Sequence, residues 1–177
     1  MDQKIILVDR NDNPIGLEEK IKTHKEGLLH RAISVYIFNS KNELLLQQRA
    51  LKVYHSGSLW SNTCCSNCYE GESADYSAHR SLKSEMGIEC EIKQYFTTIY
   101  RTPVSNGLIE HEFLHVFFGR YDDDPKVNSD EVMNWRWMDF DKLVEDIKKN
   151  GSIYSPWLKI LLYESILKEE VKKFLKS

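Results

Sequence analysis

No run of apolar residues in this 177-residue chain approaches the roughly 18 that a membrane-spanning helix needs. Its net charge of −3, with both signs interspersed, leaves no broad basic face for nucleic acid. No repeat or low-complexity tract interrupts it. Cysteine is scarce, and the single C-x-x-C, Cys65 to Cys68, has no second pair elsewhere, which argues against a structural zinc knuckle or a redox motif. The opening Met1-Asp2-Gln3-Lys4 lacks the basic-then-apolar order of a secretory leader, so the four cysteines are expected as thiols in the cytoplasm. These absences leave a protein without nucleic-acid or membrane partners, expected as a monomer or weak dimer.

What is present suffices for one domain over residues 1–177: 41% of residues are hydrophobic and 11% aromatic. Lys4 to Asp9 reads as a strand closed by a turn through Asn11, Asp12 and Asn13. Ala32 to Phe38 and Glu43 to Arg49 read as a hairpin. Ser73 predicts a helix cap, with Ala74, Ala78 and Leu82 at helical spacing and Gly87 as the stop. Two more strands fit Glu91 to Tyr100 and Leu108 to Arg120, joined by Ser105-Asn106-Gly107. Asp139 is expected to cap a short helix with Leu143, Val144 and Ile147 inward, and Ser155-Pro156 to open a last helix to about Leu175. This order predicts a mixed α/β domain.

The chemistry concentrates at a few positions. Cys64 and Cys65 precede Gly71 and the predicted helix, so the thiols are expected where a loop feeds a helix, a place that favours thiolate chemistry. Cys64 is expected to face away from Cys65 and pack as a small hydrophobe. In a strand, Glu110 and Glu112 share a face with Leu114, opposite His111, Phe113 and His115. Paired carboxylates share a proton or bind a cation; on spacing alone they read equally as solvated acids on an exposed edge strand. His24 and His30 have the ligand chemistry for a divalent transition metal, although isolated histidines are more often surface residues. Glu72 and Glu85 lie where carboxylates could hold magnesium against a diphosphate, with solvated helix acids as the simpler reading. Lys20, Lys22 and Arg49 are candidate diphosphate contacts, or ordinary surface charge. Trp157 reads as a core anchor, or as an indole face turned to a cation. Tyr100 and Arg101 could bring a phenol and a fixed positive charge to the same cleft.

Together these residues resemble the type I isopentenyl-diphosphate isomerase family, which uses the Nudix fold, a mixed β-sheet sandwiched between helices (α/β/α). The likeness runs through Gly16 to Lys20, His24 and His30, Leu44 to Arg49, Tyr54-His55-Ser56-Gly57, Trp60 to Ser66, Gly71-Glu72, Leu82 to Ile88, Glu110 to Glu112, Asp130 to Val132 and Ser155-Pro156-Trp157. It implies a catalytic thiol at Cys65, a catalytic carboxylate at Glu112 and Tyr100 hydrogen-bonded nearby. It implies a buried divalent metal, Mn2+ or Zn2+, on His24, His30, Glu110 and Glu112, and Mg2+ at Glu85 beside the diphosphate. Lys20, Arg49, Arg80 and Trp157 are then the substrate-binding residues. The implied substrate is a small allylic or homoallylic diphosphate, and the implied reaction is conversion of isopentenyl to dimethylallyl diphosphate.

The chain departs from the family pattern at identifiable places. Asn67 stands where the family has its next metal-ligand histidine, and Cys68 replaces the following proline. Asn67 offers a carbonyl oxygen, a weaker partner than imidazole, so the implied metal is looser, different, or completed by Cys68. Tyr69, Val53 and Ser81 replace basic residues, and Ser66, Ser81 and Ser84 replace a glycine and two acids of the Nudix box. An alternative reading is a diverged Nudix hydrolase acting on another diphosphate.

Overall fold

A computed structural model describes residues 4–163 and 165–176. Met1-Asp2-Gln3, the segment read for a leader, lies outside the described residues, as does residue 164 within the expected last helix. Nine strands form one mixed sheet: β1 (Lys4–Val8), β2 (Pro14–Glu19), β3 (His30–Phe38), β4 (Glu43–Arg49), β5 (Trp60–Ser61), β6 (Cys64–Asn67), β7 (Ile92–Pro103), β8 (Ile109–Arg120) and β9 (Val132–Asp139). Five helices among the described residues are α1 (Lys20–Glu26), α2 (Ala74–Met86), α3 (Phe140–Asn150), α4 (Pro156–Tyr163) and α5 (Ser165–Phe174).

β3 is the organising strand, and its composition explains why. Ala32, Tyr36 and Phe38 alternate with Ile33, Val35 and Ile37, and every one of these is fully buried, so both faces of the strand must be covered. The first set packs with Phe140 and Leu143 of α3, Leu158 and Leu161 of α4, and Leu167 and Val171 of α5. The second packs with Ala78, Leu82 and Met86 of α2. Helices thus cover both faces of the sheet. One edge of β3 is taken along its length by β8, in parallel, from His30↔Glu112 to Phe38↔Arg120. The other edge is shared in turn by β1, β6 and β4.

The predicted punctuation is present. Ser73 Oγ accepts from Tyr76 N, Gly87 ends α2 at φ 66°, and Asp139 accepts from Lys142 N at the start of α3. Four elements were not read from the sequence, β2, α1, β5 and β9, and β6 was read only as a strand-like segment at Cys64 and Cys65 without bounds. β2 is exposed almost throughout, and β5 and β6 span two and four residues, so none carries a hydrophobic period long enough to register. The edge-strand reading of Glu110 and Glu112 is overturned. β8 lies between β3 and β7, and both carboxylates are buried.

Gly119 sits where β8 crosses between β3 and β7; a Cβ there would lie 2.6 Å from Ile92 Cγ2 and 2.7 Å from the Glu91 carbonyl oxygen. The backbone oxygen cannot move away without opening the ladder. Gly119→Ala is expected to lower stability by about 1–3 kcal/mol in urea unfolding. An unchanged midpoint would show that the strands separate more easily than this packing implies.

Candidate active site

Cys65 is placed by strand pairing rather than by a helix. It lies in β6 opposite Ser34 of β3, and alternation turns Cys65 and Asn67 to one face while Cys64 and Cys68 enter the packing beneath α2. The expectation that the thiols sit where a loop feeds a helix is therefore corrected, and so is its chemical consequence. Burial pushes the Cys65 thiol up to about 12, so it is held protonated. Its Sγ donates to Asn62 Oδ1 at 3.2 Å and lies 3.4 Å from Ser34 Oγ. Asn62 is fully buried and has its amide orientation fixed, because Nδ2 donates to Ser34 Oγ and to the carbonyls of Val35 and Cys64.

The carboxylates come from β8 and their partners from three other elements. Tyr100 of β7 lies directly opposite Glu112 in the ladder, and its hydroxyl donates to Glu112 Oε2 at 2.7 Å. His30 of β3 is the parallel partner of Glu112, with Nε2 4.0 Å from Oε1. His24 arrives from α1, because Gly27 closes that helix in the left-handed region at φ 64° and turns the chain back into β3. His24 Nε2 is 3.2 Å and His30 Nε2 3.9 Å from the same oxygen, Glu110 Oε2. His55, not singled out from the sequence as a site residue, approaches the other Glu110 oxygen to 2.7 Å. The two carboxyls are driven apart. Burial and the Glu110 charge push Glu112 well above its ordinary value. Burial also raises Glu110, but His24 and His55 outweigh it and hold Glu110 well below.

His24, His30 and Glu110 gather their ligand atoms within 4.8 Å of one another, and all three residues are buried. Glu110 Oε2 and His30 Nε2 have no hydrogen-bond partner there. A buried donor set of imidazole nitrogens and carboxylate oxygens suits a divalent transition ion. Cys68 does not complete it, being buried in the layer beneath α2. Asn67 lies on the correct face, beside Ala32 and two residues from Cys65.

A cavity of about 210 Å3 joins these groups; Cys65, Glu112, Tyr100 and Trp157 line it. The Trp157 indole is fixed by an Nε1–H bond to Ser61 Oγ at 2.9 Å. Lys20, Arg49, Arg80 and Glu85 line it too, together with Glu131 and Asn128, which sequence reasoning did not single out. Lys20 Nζ sits 4.1 Å over the Tyr54 ring, and burial lowers its pKa. Arg80 is gripped by Glu72 through Nε at 2.7 Å and its amino group at 2.9 Å, and stacks on Tyr69 at 4.5 Å. Glu72 is thus a buttress for Arg80 rather than a free cation ligand. Lys22 faces solvent, paired with Glu18 outside the cavity.

The residues 28–159 match the NUDIX domain family model. The chain is 49% identical over 158 residues to isopentenyl-diphosphate Delta-isomerase 2 of Aromatoleum aromaticum, covering 89% of this chain and 84% of that protein. It belongs to the isopentenyl-diphosphate Delta-isomerase family, within the Nudix superfamily. The Pectobacterium atrosepticum isopentenyl-diphosphate Delta-isomerase is 48% identical over 157 residues, 89% of this chain and 88% of its own. Among solved structures, a Deinococcus radiodurans protein superposes with a TM-score of 0.74 at 13% identity, over 90% of this chain and 97% of that one. A MutT protein from Methanosarcina mazei gives 0.62 at 18%, over 80% and 94%. These structures share the fold.

The Nudix helix α2 delivers Glu85 to the cavity, where burial pushes its carboxyl up to about 7 while Gln47 Nε2 donates to it at 3.1 Å. The native state favours the neutral acid, so this contribution is intact below the ordinary value of 4.5 and is lost as pH rises through about 7. In chelator-treated protein, Glu85→Gln is therefore expected to be as stable as the parent at pH 5. At pH 8 it should be more stable, by up to about 3 kcal/mol. Thermal unfolding at the two pH values checks this; equal differences at both would show that Glu85 is not desolvated.

Proposed function

We propose that the protein isomerises isopentenyl diphosphate to dimethylallyl diphosphate by protonation and deprotonation, with Cys65 and Glu112 handling the proton on opposite sides of the substrate. The observation that carries this reading is one cavity lined both by a protonated thiol and a phenol-bound carboxyl and by cationic side chains. Relatives at 48–50% identity bear the name of this activity.

The reaction adds a proton to the terminal CH2 of the alkene, giving a tertiary cation, and removes one from the carbon nearer the diphosphate. Atoms balance with no water and no redox partner. Two proton-handling groups are needed, and water must be kept out because it would capture the cation. Cys65 supplies a thiol kept neutral by burial and held by Asn62 and Ser34. Glu112 is the second group, with Tyr100 O–H donating to its Oε2. The Trp157 indole, immobilised through Ser61, offers a π face to the developing cation. Lys20, Arg49 and Arg80 bind the diphosphate away from the reacting carbons, and Arg80 is preset by Glu72.

His24, His30, Glu110 and Glu112, with the Asn67 carbonyl, would hold a divalent Mn2+ or Zn2+, and Glu85 a Mg2+ beside the diphosphate. Bound there, these ions supply positive charge that offsets the buried carboxylates and the diphosphate.

Purified protein with magnesium is expected to exchange solvent deuterium into isopentenyl diphosphate, and Cys65→Ala and Glu112→Gln are each expected to abolish exchange and isomerisation. Full activity in either variant rules out its assigned role. Release of phosphate without exchange would favour the diverged-hydrolase reading. Asn67→His is expected to raise the retained transition-metal content by elemental analysis; unchanged content would remove Asn67 from the site.

A further inference from the structure

His24, His30 and His55 present their rings to one carboxylate in a common way. His24 Nδ1 lies 2.6 Å from the Lys20 carbonyl oxygen and His30 Nδ1 2.9 Å from that of Leu28. A carbonyl can only accept, so both Nδ1 atoms carry hydrogen, and in a neutral imidazole Nε2 is then a bare lone pair. His55 Nδ1 lies 3.2 Å from Ser56 Oγ, and donation to that hydroxyl produces the same tautomer. All three Nε2 atoms turn to Glu110, His24 and His30 to Oε2 and His55 to Oε1.

These contacts are not self-sufficient. His55 is 2% exposed, and its Nε2, like His30 Nε2 and Glu110 Oε2, has no well-formed hydrogen bond although it lies 2.7 Å from Glu110 Oε1. His30 Nε2 and Glu110 Oε2 belong to the cluster gathered within 4.8 Å, and His55 Nε2 stands beside it at the other Glu110 oxygen; three unpartnered buried polar atoms around one carboxylate are a large penalty unless something positive lies near them. Lone pairs of nitrogen and carboxylate oxygen turned to a common place have the chemistry of a metal ligand set. The Asn67 amide makes no hydrogen bond among the described residues that would tie it into the cluster.

We propose that His55 is a third imidazole ligand of the divalent metal held by His24, His30 and Glu110, supplying the nitrogen donor that Asn67 does not. Three nitrogens and a carboxylate favour Zn2+, Co2+ or Mn2+ over Mg2+. His55 also meets the Trp157 ring edge-on at 5.6 Å, and its carbonyl accepts from Arg49 at 3.2 Å. Metal ligation at His55 therefore braces two walls of the cavity.

The test uses the full chain stripped with a chelator and titrated with Co2+, for the parent, His55→Ala and His55→Gln, with thermal unfolding as a check on folding. Both variants are expected to bind Co2+ at least about tenfold more weakly and to shift its visible absorption bands. Unchanged affinity and spectrum overturn the proposal. Recovery of parental affinity in His55→Gln also overturns it, because an amide can replace a hydrogen-bond donor to Glu110 but not an imidazole ligand. Should neither variant fold, proton NMR of the Co2+-loaded parent decides: three paramagnetically shifted imidazole N–H signals are expected, and two would remove His55 from the metal. None of these readouts involves turnover, so they stand apart from the isomerase reading.

Discussion

Two adjacent carboxylates on an interior strand of a packed sheet cannot persist without compensation, and most of the site can be understood as that compensation. Glu110 and Glu112 share a face of β8 with β3 on one side and β7 on the other, and both are buried. Like charges in a low-dielectric interior repel strongly and neither is well solvated. The structure answers by treating the two differently, with imidazoles around Glu110 and a phenol on Glu112. That division fixes the local fold. α1 must end where His24 reaches Glu110, so Gly27 turns the chain sharply and brings the His24 and His30 rings to a centroid separation of 4.8 Å although six positions separate them in sequence.

The same logic sets the polarity of the cavity. Some of its lining groups are kept neutral: a desolvated thiol and a carboxyl pushed towards its protonated form. Others are kept charged, because Arg80 donates two hydrogen bonds to Glu72, and Glu131, Glu110 and Glu85 offset part of the desolvation of Lys20. A ligand that carries both a charged and an apolar part matches such a lining. Asn62 is the quiet hinge between the two requirements. Every hydrogen of its amide is committed to backbone or Ser34, which leaves its oxygen facing Cys65 and prevents the thiol from turning away.

Local signals were legible in the sequence where one residue type has one physical use. Ser73, Gly87 and Asp139 mark helix ends because side-chain caps and left-handed stops are local. The period-two placement of Glu110 and Glu112 was equally readable, but their burial was not, since it depends on β3 and β7 arriving on either side. Cys65 was misread locally, as a loop thiol near a helix, because β6 has only four residues and owes its strand character to β3. His55 carries no pattern at all; it lies in an irregular segment and reaches Glu110 across 55 positions of sequence. Glu72 was read as a candidate magnesium ligand, and only the fold shows that Arg80, eight residues later, already occupies it. Pairing across distant strands and loops is what a single sequence conceals.

That pairing also bears on which chemistry a Nudix scaffold can support here. Pyrophosphate hydrolysis in this fold depends on several carboxylates along the helix holding metal ions that activate water. In α2, Ser81 and Ser84 face inward or along the helix, with Ser84 bonded to the Ser81 carbonyl. Asp75 is exposed at the far end, and Glu72, just ahead of the helix, is taken by Arg80. Among the described residues, Glu85 is the one carboxylate of α2 that lines the cavity. Glu85, with Glu131 nearby, can help neutralise a diphosphate, but α2 lacks the row of carboxylates that a multi-metal hydrolytic centre uses. The acidic density has moved instead to β8, on the other side of the ligand space, where the neighbouring groups are a thiol, a phenol and an indole rather than further acids. In the proposed reaction such groups exchange protons with carbon and shelter a cation from water, and they give a poor setting for generating hydroxide.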